Sequence, residues 1–185
     1  IYIFIGFSIA NVFNLFFSLF MGRNLTVEGF GILTSTVSLM SLMAIPAGSI
    51  IPTIVSFAGS QFAKEDYGSV KAFFLKLIKP LLVISFVVLL CFVVLANYIG
   101  DFFKIADQSI IVIVGITVAL AYIGVVISGL LQAKLAFKFI SFSHLMSTMF
   151  KLIIGATLVM LGLNVKGAKW ALFISGLIPF IIGFI

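Results

Sequence analysis

The stretch "SHLMSTMFK", residues 143–151, carries the only histidine of the chain, His144, and places it seven residues from a lysine, Lys151, inside an apolar run. An imidazole titrates near neutrality and an ammonium holds anions, while the hydroxyls of Ser147 and Thr148 can add hydrogen bonds. At about 100° per residue, Ser141, His144, Ser147, Thr148, Lys151 and Gly155 fall within an arc of roughly 120°, a polar stripe on one side of a helix. Lys138 and Asn164 bracket 25 residues, and Lys151 stands thirteen positions after Lys138, at the centre. Catalysis lacks its parts: the spans hold no acid pair, no glycine-rich phosphate loop and no cysteine or histidine cluster. The stripe therefore reads as binding chemistry for an anion, with no enzyme activity, no metal and no cofactor expected.

The segment carrying these residues must be a membrane helix. Hydrophobic residues make up 63% of the 185 and charged ones 9%, and the mean hydropathy is +1.39, far from the composition of soluble domains. The apolar residues come in blocks of about 20 or more, the length a helix needs to cross some 30 Å of hydrocarbon. The alternation of a membrane barrel is missing. Six spans are expected, at 1–21, 30–58, 77–99, 109–132, 139–163 and 170–185, in one membrane domain over residues 1–185. Both ends lie within apolar runs, so the chain reads as a fragment truncated at each. The net charge of +6 is carried by scattered lysines without a basic stripe, which argues against nucleic acid as a partner. The single cysteine, Cys91, excludes a disulfide framework.

Charge is concentrated in the short connections. One side receives Lys64, Lys71, Lys76, Lys79, Lys134 and Lys138, and the other Arg23, Lys104, Lys166 and Lys169. The positive-inside bias then puts the N-terminus in the cytoplasm. In the longest connection Tyr67, Val70, Phe73, Phe74 and Leu77 recur at helical spacing, either as an interfacial amphipathic helix or as an extension of the third span. Pro46 and Pro52 cannot donate to Leu42 and Gly48, so the second span should bend, as a hinge or a static kink, with Ser49, Thr53 and Ser56 near the freed carbonyls. Small residues recur every four positions at Ala171, Ser175, Pro179 and Gly183, and at Gly124 and Ser128, where helices can pack closely.

A second polar stripe, Ser8, Asn11, Asn14, Ser18 and Gly22, runs along the first span. Its asparagines either bond to neighbouring helices or line a wet cavity together with the fifth span. For Lys151 the cost is larger, about 2.5–3.5 kcal/mol at mid-bilayer on the lenient scale. Glu28, Glu65, Asp66, Asp101 and Asp107 all lie in connections. That leaves three ways to keep the lysine: an acid elsewhere in the protein, a neutral amine, or an anionic ligand in a water-filled cavity.

The asparagine-bearing first span with "GRNLTVEGFG", the second span "TSTVSLMSLMAIPAGSIIPTIVSFA", the lysine-bearing connection after it and "GLLQAKLAF" resemble the polysaccharide-biosynthesis flippases of the multidrug/oligosaccharidyl-lipid/polysaccharide exporter superfamily. The resemblance implies an all-α polytopic membrane protein whose six transmembrane helices form most of the N-terminal lobe of a two-lobed transporter with twelve to fourteen spans. It further implies alternating access and a cationic cavity. The cargo would be polyprenyl-pyrophosphate-linked oligosaccharide for O-antigen, capsule or exopolysaccharide, crossing the bacterial inner membrane. The implied partners are that lipid-linked cargo, the bilayer, the C-terminal lobe of the same chain and a coupling ion. Arg23 and Gly31 match the "GR…FG" element of these flippases, whereas Lys151 matches none of their fixed motifs. On this reading Lys151, His144, Ser147 and Thr148 are candidate substrate contacts, with Asn11 and Asn14 as further lining. The rivals are a cation-coupled drug exporter, which would want an intramembrane carboxylate, and a scaffold whose stripes are helix glue.

Overall fold

The computed structural model describes residues 2–105 and 107–183, and Ile1, Phe184 and Ile185, which belong to the outer spans expected from sequence, lie outside them. The described residues form helices α1 (Tyr2–Asn24), α2 (Val27–Gly48), α3 (Ile51–Phe62), α4 (Tyr67–Val94), α5 (Ala96–Phe102), α6 (Gln108–Ala133), α7 (Phe137–Leu158) and α8 (Asn164–Gly183), with no strand among them. A wide π turn, Val159–Leu163, separates α7 from α8. Gly162, at φ 87°, and Asn164, at φ 44°, take the left-handed backbone that reverses the chain there, a conformation that glycine and asparagine accept most readily. Side-chain oxygens start α2, α4 and α6. Thr26 accepts from Gly29 N at 3.0 Å, Asp66 from Ser69 N at 3.0 Å and Asp107 from Ser109 N at 3.1 Å, which satisfies backbone donors that a helix start leaves unpaired.

Pairing follows from which helices run together. In α1 and α7, Phe7 meets His144 and Asn14 meets Lys151, both at an offset of 137 residues, so the two helices run parallel. In α7 and α8, Ser147 bonds to Ser175 and a Cβ on Gly155 would lie 3.4 Å from that of Ala171, so these helices form an antiparallel hairpin. The α6 helix is apolar nearly all round and sits at the centre, touching α2, α3, α4, α5, α7 and α8, as such a helix must. Glycines let it do so: an added Cβ would meet Phe92 at 2.5 Å on Gly115 and Ile54 at 2.7 Å on Gly129. Polar bonds tie the same helix to its neighbours. Ser85 Oγ donates to Ala119 O at 2.7 Å and Tyr122 Oη to Met43 O at 3.0 Å.

These helices make six membrane passes, counting α2 with α3 as one and the hairpin α7–α8 as two. Three details differ from the expectations above or resolve them. The second span is two helices, because the chain turns at Ser49–Ile50; there Ser49 Oγ donates to Pro46 O at 2.7 Å, a carbonyl adjacent to the break rather than one that proline frees. The helical spacing at Tyr67–Leu77 belongs to α4, which continues to Val94 through Pro80, whose missing N–H removes only the bond to Lys76 O. Lys169, assigned by sequence to a connection, is inside α8 and 1% exposed. At the same end Lys166 Nζ pairs with Asp107 Oδ2 at 2.5 Å. That ammonium, with the Ser109 hydroxyl, holds the Asp107 carboxyl below its ordinary range.

Candidate functional site

The site is the seam between the parallel helices α1 and α7. The α1 face turned inward is Gly6, Ala10, Phe17 and Met21, all buried. Asn14 lies at the edge of this face and is half-buried. Gly155 of α7 is what brings the helices close: a Cβ there would stand 2.7 Å from the Phe17 ring and 2.9 Å from Met21. Into this contact Lys151 extends its side chain. Its Nζ donates to Asn14 Oδ1 and lies 5.0 Å from the centroid of the Phe17 ring, within cation–π reach.

That arrangement holds an ammonium without neutralising it. An amide oxygen orients one of the three N–H donors but carries no formal charge, and a ring face adds only a quadrupole. No carboxylate among the described residues contacts Lys151. The residue is half-buried, neither sealed in the core nor laid out on the surface. Two N–H donors therefore remain for a ligand, and a tetrahedral anion with several oxygens matches them.

The other candidates divide. His144 stacks on Phe7 with ring centroids 4.4 Å apart, and both line a cavity of about 410 Å³ walled by α1, α3, α6, α7 and α8. Ser147 is drawn into structure: its Oγ donates to Ser175 O at 2.8 Å, the carbonyl that Pro179 deprives of its helical partner. Thr148 is buried and bonds back to His144 O at 3.0 Å and Leu145 O at 2.9 Å. Asn11 is exposed and away from the seam. So the two polar stripes meet through one pair, Asn14 with Lys151, and most of the α1 stripe, Ser8, Asn11, Ser18 and Gly22, faces away from this helical unit. Polar groups do not face lipid at low cost, so this face is suited to water or to a further part of the protein. Arg23, in the last turn of α1, and Gly31, in the second turn of α2, are exposed.

Two residues escaped the sequence reading. Lys169 donates to Leu33 O at 3.3 Å and joins α8 to α2. Its signal was the run of small neighbours, with Ala168 and Ala171 both 0% exposed, which marks a face pressed against other helices. Ser143, one residue before His144, is buried and lines the cavity; it lies outside the arc shared by Ser141, His144 and Lys151, so the stripe did not include it.

No family model matches the chain, and no curated protein matches it. Among solved structures it is similar to a MOP superfamily transporter from Pyrococcus furiosus, described as having a binding pocket of reverse polarity that suggests a different function. The TM-score is 0.81 and the identity 13%, over 99% of this chain and 42% of that one. At that identity the likeness is one of fold: an all-helical membrane unit spanning less than half the length of the transporter, as one lobe of a two-lobed protein would.

Proposed function

We propose that this helical unit is the cargo-binding lobe of a flippase that moves polyprenyl-pyrophosphate-linked oligosaccharide across the bacterial inner membrane by alternating access, for surface polysaccharide synthesis. The observation that carries it is the Lys151 ammonium, held at mid-span by the Asn14 amide and the Phe17 ring and contacted by no carboxylate among the described residues. Pyrophosphate is the matching charge. It supplies several acceptor oxygens to the two remaining N–H donors, and in a medium poorer in water than bulk such a charge-assisted bond is stronger than a neutral one. Asn14 keeps the ammonium directed into the seam. The exposed stripe of α1 is then the wall of a wet passage between this lobe and the rest of the protein, with the turn at Ser49–Ile50 as a point where α2 and α3 can re-angle. Six lysines toward the end where α1 starts put that end in the cytoplasm on the positive-inside bias.

The test is reconstitution of the full-length protein into vesicles with a fluorescent polyprenyl-pyrophosphate sugar, followed by a membrane-impermeant quencher. Wild type should move the label between leaflets, and Lys151→Arg should keep most of that movement, since charge rather than shape meets the phosphates. Movement no faster than in protein-free vesicles would overturn the reading and leave a scaffold.

A further inference from the structure

We infer that the cavity walled by α1, α3, α6, α7 and α8 is a subsite for the uncharged sugar units of the cargo, with the Ser143 hydroxyl built into it as a ligand contact; the choice of a sugar rests on the flippase reading. Ser143 is 5% exposed, and its Oγ is buried with no hydrogen-bond partner. Other hydroxyls in the spans behave differently. Those of Thr36, Thr117, Thr148 and Ser175 fold back onto carbonyls three or four residues earlier, the usual way to satisfy a hydroxyl in a helix. An orphaned buried hydroxyl costs about 1–3 kcal/mol, and such a group needs an explanation. Ser143 borders the cavity, so rotation about its Cα–Cβ bond would bring the hydroxyl, closed off where it stands, to a visiting ligand.

The lining defines the chemistry of that ligand. Ser128, Gln132, Ser143 and His144 supply hydroxyl, amide and imidazole groups, Phe7 and Phe180 supply rings, and no lysine, arginine, aspartate or glutamate takes part. Hydroxyls and amides beside aromatic faces suit a pyranose, whose rim is polar and whose C–H faces are apolar. A space of about 410 Å³ falls within the usual range for small-ligand pockets. The absence of a charged wall disfavours uronic acids, because a carboxylate would meet no lysine or arginine there. His144 and Lys151 are seven residues apart on α7, about 10 Å along the helix axis, so a sugar in the cavity and a pyrophosphate at Lys151 can belong to one cargo.

Gly176 supplies the means to test this. It lines the cavity, and a Cβ added to it meets nothing within 4 Å, so Gly176→Phe fills the space rather than the packing. The measurement is saturation-transfer NMR on the full-length protein in nanodiscs, with N,N′-diacetylchitobiose and lactose as neutral probes and digalacturonic acid as a charged one. Wild type should saturate the neutral probes at least threefold more than the charged one. Gly176→Phe and Ser143→Ala should each lose most of that signal, while Ser143→Ala melts at the same temperature as wild type or higher. Signal unchanged in both variants, preference for the charged probe, or a lower melting temperature for Ser143→Ala would overturn the inference. Gly176→Leu serves if the phenylalanine variant does not fold. A wild type that binds the neutral probes but flips no lipid-linked sugar would sink the flippase reading alone, whereas flipping that survives both variants at wild-type rate would sink the subsite alone.

Discussion

Lys151 and Lys169 stand on the two helices of one hairpin, both without a carboxylate partner among the described residues, yet they occupy opposite kinds of burial. Lys151 is in the middle of an apolar run, where the membrane would bury it, but the fold leaves it half-buried on the seam. Lys169 is five residues from the start of α8, where a loop was expected, but the fold seals it to 1% exposure against α2. Distance from the end of a hydrophobic run measures burial by lipid. Burial by protein depends on which helix happens to lie opposite, and the two need not agree.

The difference assigns the roles. Lys169 donates to Leu33 O, which also accepts from Thr36 Oγ1 at 3.0 Å, and at 1% exposure its remaining donors are out of a ligand's reach. Lys151 has donors to spare beside accessible space. Lys169 thus pins α8 to α2, and on the proposed reading Lys151 is the charge that meets the cargo.

Breaking the comparison at its functional end has the largest expected effect. Lys151→Ala should cut leaflet-to-leaflet movement of a lipid-linked sugar by about 10- to 100-fold, the equivalent of the ~1.5–3 kcal/mol of a hydrogen bond to a charged group, with protein levels unchanged. Export at the wild-type rate would remove Lys151 from the mechanism. Asn14→Asp comes next. It keeps the shape but puts a carboxylate on the ammonium, so movement should fall nearly as far while the protein melts no earlier; transport undiminished by that carboxylate would show that net charge at the seam is irrelevant.

Lys169→Met sharpens the other side. A methionine of similar length removes a buried ammonium, and Leu33 O keeps Thr36 as a donor, so stability should rise by about 1–2 kcal/mol with transport unaltered. A lower thermal midpoint would mean that the ammonium contributes more than its one bond at 3.3 Å. The smallest effect is at the Asp107–Lys166 pair, which is well exposed on both sides. Asp107→Asn should cost no more than about 0.2–1 kcal/mol. Because the folded carboxyl is held below its ordinary value of 3.8, this contribution is complete at neutral pH and is lost as pH falls through the depressed value. A stability profile identical in wild type and Asp107→Asn below pH 4 and above it would show the pair to be inert.

Hydrophobic run length, proline positions and the mid-span lysine were readable because each is a local property. A block of about 20 apolar residues must be helical and must span, whatever surrounds it, since hydrocarbon offers the backbone no other hydrogen-bond partners. The same reasoning marked Lys151 and Asn14 as costly and hence informative. Ser147 and Thr148 shared the arc with Lys151, but one answers a carbonyl freed by Pro179 on the next helix and the other its own backbone. Neither outcome is visible along a single chain.

Composition and spacing thus marked an all-helical membrane protein, its long apolar runs and the positions where polarity carries a cost. Only the packed helices decided that α1 and α7 run side by side in one register, that Lys151 meets an amide while Lys169 is closed off, and that a cavity opens beside His144 and Ser143. The physical reason is range: transfer into lipid acts on each residue where it stands, whereas contact between residues 137 positions apart exists only once every helix between them has found its place.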